Sequence, residues 1–462
     1  MRALAAADCS SPAIGAIVRA AVPRALRPHD LGPSAAARRA RLSRLSLGTC
    51  LSGPPAAAGH APVSHMSLRT CPSGASARAR LPFILALGTC LFGLACASDL
   101  PVGQRVAGPR ILALRSEVVT PLFPDDEPAD AGARCEALPF EKVRVTPFMV
   151  EPTGVLDIAG PDFDPIWIAC QLGPAQGLFA CLRAAVPLDL DDLEECPVPS
   201  FADLDPNATE LPQYPSPCRL PDDGGAPGSI EFVAPFAANL LLGGDLELTM
   251  ISRAPGSPST RECAVAMLSK AADLPNACIY AVTRVSVGPI EKLLAFAGMF
   301  GFDLPPELGE VPDPKDIPDG DRNPRIASFR VTVLDPDTDE ATDLGELPRG
   351  ATVPIRRGQT IQVDTETPAH DLQTYTVPIN AGVGGTGSEI QTERIDGSWY
   401  RTWGTLLAGG SDDRVAFNQW TMRKGEQDEG ELPPDGRATL FYVLRDSRLG
   451  VDWWWLEVEV EP

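Results

Sequence analysis

The chain has 462 residues, 48 of them proline, with 22% charged, 44% apolar and 6% aromatic side chains. That is room for two or three domains with cores of their own, and a proline share that argues against a mostly helical enzyme. The formal net charge of −22 joins two unlike parts: residues 1–95 carry 11 basic and 2 acidic side chains, and the remaining 28 basic and 59 acidic ones make a body that argues against a nucleic-acid partner.

Residues 1–65 are rich in Ala, Arg, Pro and Ser and hold no periodicity, so they read as a low-complexity basic leader, disordered or upstream of the true start at Met66. Residues 66–95 have the layout of a secretion signal. Arg69, Arg78 and Arg80 precede the apolar run Leu81–Ala95, which is shorter than a membrane span. The run ends Gly93-Leu94-Ala95-Cys96-Ala97-Ser98. A small residue before a cysteine resembles the lipobox of bacterial lipoproteins, which implies lipidation of Cys96. Ala97 after it implies the outer membrane. The competing reading is cleavage after Ala97 and release as a soluble secreted protein. Residues 96–109 form a short tether.

Residues 110–302 read as a β-sandwich-like domain. Arg110–Val118, Lys142–Val150, Pro165–Leu172, Ile230–Ala234 and Asp245–Arg253 have strand character, and helices are expected at 261–272 and 289–300. Seven cysteines follow Cys96, and none forms a CxxC pair, so disulfides are the expectation in an exported chain. Nearest neighbours suggest Cys170 with Cys181, Cys196 with Cys218 and Cys263 with Cys278, leaving Cys135 alone, although order cannot fix connectivity.

The Pro/Asp-rich stretch 303–324 reads as a linker. Residues 325–462 then hold seven candidate strands, Ile326–Leu334, Thr360–Thr365, Thr374–Ile379, Ser398–Leu407, Arg414–Met422, Arg437–Arg445 and Val451–Val460, as an immunoglobulin-like sandwich would. The fold expectation is therefore mainly β, with two tandem Ig-like domains. In the last strand Trp454, Leu456, Val458 and Val460 share the core face, and Trp453, Trp455, Glu457 and Glu459 share the other.

The run Pro109–Glu117, the pattern Val443-Leu444-Arg445-Asp446 followed by a turn and Trp453, and Trp167 ahead of Cys170 and Cys181 resemble bacterial cell-surface lipoproteins of unknown function. The likeness covers much of residues 96–462 and is diffuse. It implies a lipid-anchored surface protein and brings no established activity or catalytic residue.

Chemistry-bearing motifs are sparse. His370 is the one histidine after Met66, there is no GxSxG, and neither a Rossmann nor a Walker glycine motif is present. Carboxylates give the best signal. Asp335, Asp337, Asp339, Asp343 and Glu346 fall at calcium-loop positions one, three, five, nine and twelve, although Glu340 stands where glycine is needed. Asp319, Asp321 and Asn323 form a second such run. No cofactor is expected beyond Ca²⁺ at these turns. Trp453 and Trp455, if exposed, would suit a protein or carbohydrate partner. The leading expectation is a binding or structural module held to a membrane through its lipid. A secreted carboxylate-dependent hydrolase and a calcium-dependent adhesion module are the alternatives.

Overall fold

The computed structural model describes residues 104–461 apart from 123–130, 201–213, 271–276, 299–316, 380–386, 424–431 and breaks of four residues or fewer elsewhere. β1 (Arg110–Thr120) and β2 (Lys142–Glu151) pair antiparallel and set the pattern of the whole molecule. β2 sends Val143, Val145 and Met149 into one core and Phe148 and Val150 into another. A strand covered on both faces needs apolar residues on both, which is why this segment is richer in them than a simple alternation.

The first half continues with β3 (Gly154–Val155), β4 (Ile166–Gln171), β5 (Cys218–Arg219), β6 (Ile230–Val233), β7 (Asp245–Arg253) and β8 (Cys278–Ser286). One sheet has the order β1–β2–β3 with β6 also on β2, and the other runs β5–β4–β7–β8. Leu114, Val143 and Val145 of the first sheet meet Trp167, Leu248 and Val285 of the second in a shared core. The expected helix at 261–272 is present over Thr260–Leu268. Its start is fixed by a capping box, in which the Ser259 hydroxyl accepts from the Glu262 N–H and the Glu262 carboxylate accepts from the Ser259 N–H. Cys263, Ala264 and Leu268 lay this helix over Ile168 and Ile251 on the outer face of the sheet. The helix expected at 289–300 lies mostly outside the described residues.

The second half holds β9 (Ser328–Asp335), β10 (Glu340–Glu346), β11 (Ala351–Arg356), β12 (Thr360–Glu366), β13 (Thr374–Ile379), β14 (Gly387–Thr392), β15 (Ile395–Arg401), β16 (Thr405–Leu406), β17 (Gly410–Ser411), β18 (Val415–Thr421), β19 (Arg437–Asp446) and β20 (Val451–Glu461). These build two five-stranded sheets, β10–β9–β12–β18–β16 and β11–β20–β19–β15–β17, and the hairpin β13–β14. β11 lies parallel to β20; the other pairings are antiparallel. The two larger sheets share a core of Phe329, Ile361, Trp420, Trp399, Leu440 and Leu456. The single strand expected at 398–407 is two, because Gly404 takes φ +83° and packs against the Thr421 carbonyl and the Trp420 indole, where a Cβ would stand 2.7 Å from each.

The two halves are not strung on a linker. Residues 96–462 form one compact unit. Leu112, Ala113, Phe148 and Val150 of β1 and β2 pack on Phe441, Val443 and Val451 of β19 and β20 in a third core. The far end of the expected linker is part of this seam: Asp321, Arg322 and Asn323 are buried. The Cys135 N–H donates to the Asp321 carbonyl at 2.8 Å, and the Asn323 N–H donates to the Ala133 carbonyl at 2.9 Å.

Candidate functional site

Two of the expected disulfides are present, Cys196–Cys218 and Cys263–Cys278. Cys170 is also disulfide-bonded, while Cys181 lies outside the described residues, as do Cys96 and the signal segment. Cys135 is a buried free thiol, its acidity suppressed by burial and by the neighbouring Asp321 carboxyl. Disulfides suit an extracellular or periplasmic environment. No helix among the described residues is long and apolar enough to cross a membrane.

The calcium-loop reading of Asp335 to Glu346 is corrected by the structure. These residues form the β9–β10 hairpin, and its carboxylates are drawn apart rather than gathered. Asp335 accepts from the Asp337 N–H at 3.0 Å and binds Arg356 and Gln359. Asp339 closes the turn at φ +56°, and Asp343 pairs across the strands with Arg330. Asp337, Asp339 and Glu346 are exposed. The partner-surface expectation for Trp453 and Trp455 asks for exposed indoles, and the structure gives both a partner within the molecule. Both indoles are turned into the seam, where Phe148 lies 5.0 Å from Trp453 and 6.0 Å from Trp455 between ring centroids. Both indoles are half-buried by this packing.

The second acidic run behaves differently. Asp319 lies outside the described residues, but Asp321 and Asn323 are buried. The Asn323 side chain donates to the Ser116 carbonyl at 2.7 Å and accepts from the Val451 N–H at 2.8 Å, so it pins β1 to β20. Asp321 meets Glu393, from the turn after β14, and Asp446, the last residue of β19. One carboxylate oxygen from each lies within 4.8 Å of the others, and this is the one such group among the described residues. Sequence reasoning had singled out Asp321 and read Asp446 as part of a structural turn; Glu393 carried no local signal.

Three carboxylates converge on one guanidinium, and a fourth takes the backbone of the same residue. Arg448 reaches Glu136 at 2.6 Å, Glu393 at 3.1 Å and Asp321 at 3.7 Å, and lies over the Tyr375 ring at 4.8 Å. Asp446 uses Oδ1 to accept from the Arg448 and Gly450 N–H groups, both at 2.8 Å. Its Oδ2 is buried and has no donor. Burial, and then the charge of Asp446, raise the Asp321 carboxyl to about 9, and it hydrogen-bonds Glu393. Burial raises Asp446 to about 6. Glu393 and Asp446 also line an open cleft of about 850 Å³, with Asp396, Asp412 and Asp413 among its walls and Arg394 and Arg414 beside them.

A second cavity, of about 240 Å³, opens beside the Cys196–Cys218 bridge. Its lining is mostly apolar, including Pro197, Val198, Tyr214, Leu220, Phe232 and Leu246, with the Lys142–Glu231 ion pair among it. Sequence reasoning missed it, because its walls come from β2, β4, β5 and β6 and from loops far apart in the chain.

No family model matches the chain, and no curated protein matches it. Among solved structures, the dimeric latent PorU from Porphyromonas gingivalis is similar over 77% of this chain at 10% identity, with a TM-score of 0.16. The match takes in 24% of that chain, so this protein spans about a quarter of it.

Proposed function

We propose that the chain is an exported bacterial surface lipoprotein of two tandem Ig-like sandwiches, tethered through a lipid on Cys96 and acting as a binding module. The cavity beside the Cys196–Cys218 bridge carries the binding part of this reading. A disulfide holds its rim in place before any ligand arrives, and pre-organisation lowers the cost of binding. Its size and lining suit a small apolar group. The disulfides support export, and the acidic body suits a soluble surface domain.

Two measurements test the proposal. Mass spectrometry of the mature N-terminus should find lipidated Cys96, whereas an unmodified chain starting at Ser98 would overturn the anchor. The full chain should bind an apolar fluorescent probe, anilinonaphthalene sulfonate, and Val198→Asp at the cavity wall should lose that signal. A native chain that leaves the probe unbound overturns the binding module.

A further inference from the structure

We propose that Asp321, Glu393 and Asp446 hold a divalent cation of the hard, oxygen-loving class, Ca²⁺ foremost, at the floor of the acidic cleft, where it clasps the segment between the halves to the second half. This goes beyond the proposed function and does not depend on it.

The first support is geometric. Three carboxylates from three distant parts of the chain place one oxygen each within 4.8 Å of the others. A single ion with bonds of about 2.4 Å spans a pair of oxygens up to about 4.8 Å apart, so small side-chain adjustments bring all three onto it. Their chemistry is oxygen only, which suits Ca²⁺ and disfavours a soft metal.

The second support is an unfilled demand for positive charge. Asp446 is 9% exposed, and its Oδ2 has no hydrogen-bond donor. A buried carboxylate oxygen without a partner is costly, and natural proteins rarely leave one. Arg448 spends its guanidinium on Glu136, Glu393 and Asp321, and offers Asp446 its backbone N–H. Gly450 is what lets Oδ2 stand there, since a Cβ on residue 450 would lie 2.0 Å from it.

The third support is access. Glu393 and Asp446 line the cleft, so an ion can reach them without the fold opening. Its lining carries five carboxylates, Glu393, Asp396, Asp412, Asp413 and Asp446, against the two guanidiniums of Arg394 and Arg414, a surplus that draws cations toward the floor. Asp321 lies in the segment between the halves, and Glu393 and Asp446 belong to the second half. An ion bridging them fixes the segment 320–324 in the seam.

The test uses the full chain stripped with a chelator and then titrated with Ca²⁺ by calorimetry and thermal melting. One ion per chain should bind, and the melting point should rise with the logarithm of the Ca²⁺ concentration. Asp446→Asn and Glu393→Gln should abolish both effects. Asp337→Asn with Asp343→Asn, in the β9–β10 hairpin, should leave both intact. No heat and no shift at millimolar Ca²⁺, loss of binding in the hairpin variant, or a preference for Zn²⁺ over Ca²⁺ overturns the proposal. Should the cluster variants fail to fold, hydrogen exchange of the native chain decides. Ca²⁺ should slow exchange at 320–324, 393–396 and 446–450, and slowing confined to 335–346 overturns the assignment.

Discussion

The indole of Trp453 lies flat on the ring of Phe148, with centroids 5.0 Å apart and planes 6° from parallel. The two residues belong to different halves of the molecule, and Phe441 meets the same Phe148 ring edge-on at 6.0 Å. Offset aromatic contacts of this kind add about 0.5–1.5 kcal/mol beyond the area they bury. The seam is therefore a core in its own right.

Phe148→Ala should cost about 3–5 kcal/mol, the range for deleting a buried aromatic ring. Phe148 is 2% exposed, so little of that cost is relieved by solvent. Calorimetry of the native chain should show one unfolding transition, because each half buries the other. In the variant that transition should move down and split. A native chain that already melts in two well-separated steps would show that the seam does not couple the halves.

Asn323→Ala should destabilise by about 1–3 kcal/mol for each polar group it strands. The substitution strips the Val451 N–H and the Ser116 carbonyl of their partner at once. Asn323→Asp keeps the acceptor for Val451 but turns a buried carboxylate oxygen on the Ser116 carbonyl, so its denaturant midpoint at neutral pH should fall at least as far as that of Asn323→Ala.

The pH dependence of the metal-free chain has an unusual sign. Asp321 and Asp446 titrate near 3.8 when unfolded and are raised to about 9 and about 6 when folded. The folded state then holds protons that the unfolded state releases. Their contribution is fully present below about pH 4 and is lost as the pH rises through about 6 for Asp446 and about 9 for Asp321. Thermal melts in chelator should therefore fall from pH 5 to pH 9. Asp321→Asn, which mimics the protonated acid, should flatten that slope. Equal slopes for the two proteins would contradict the assignment.

Peptide mapping under non-reducing conditions should recover the Cys196–Cys218 and Cys263–Cys278 links, with Cys135 as an intact thiol that reacts only after unfolding. The Cys263–Cys278 bridge ties the start of β8 to the helix over the β4–β7 face. Replacing both residues by serine should cost about 2–5 kcal/mol.

The parts of this fold that were legible in the sequence are those where one face meets one core. Trp454, Leu456, Val458 and Val460 of β20 were assigned inward from alternation alone, and they pack there. The opposite face is left open by the sequence, because alternation tells which residues share a side, not what covers that side. Trp453 and Trp455 look the same in sequence whether they meet water or Phe148. The short strand β17 and the polar β10 carry no such signal, since exposed Glu340–Glu346 has no apolar period to reveal it. Within the carboxylate cluster, Asp321 stood in a recognisable acidic run. Glu393 is brought to it by tertiary packing, which no spacing along the chain encodes.

The seam has a practical consequence for anyone dividing this protein. The proline-rich stretch before residue 325 invites a cut, and each fragment would then present a bare apolar wall. Phe148 and Val150 would face water on one piece, and Phe441, Val443 and the paired indoles on the other. Such walls drive self-association. The natural joint in the sequence is thus the worst place to sever the molecule, and neither piece carries the whole of its own inside.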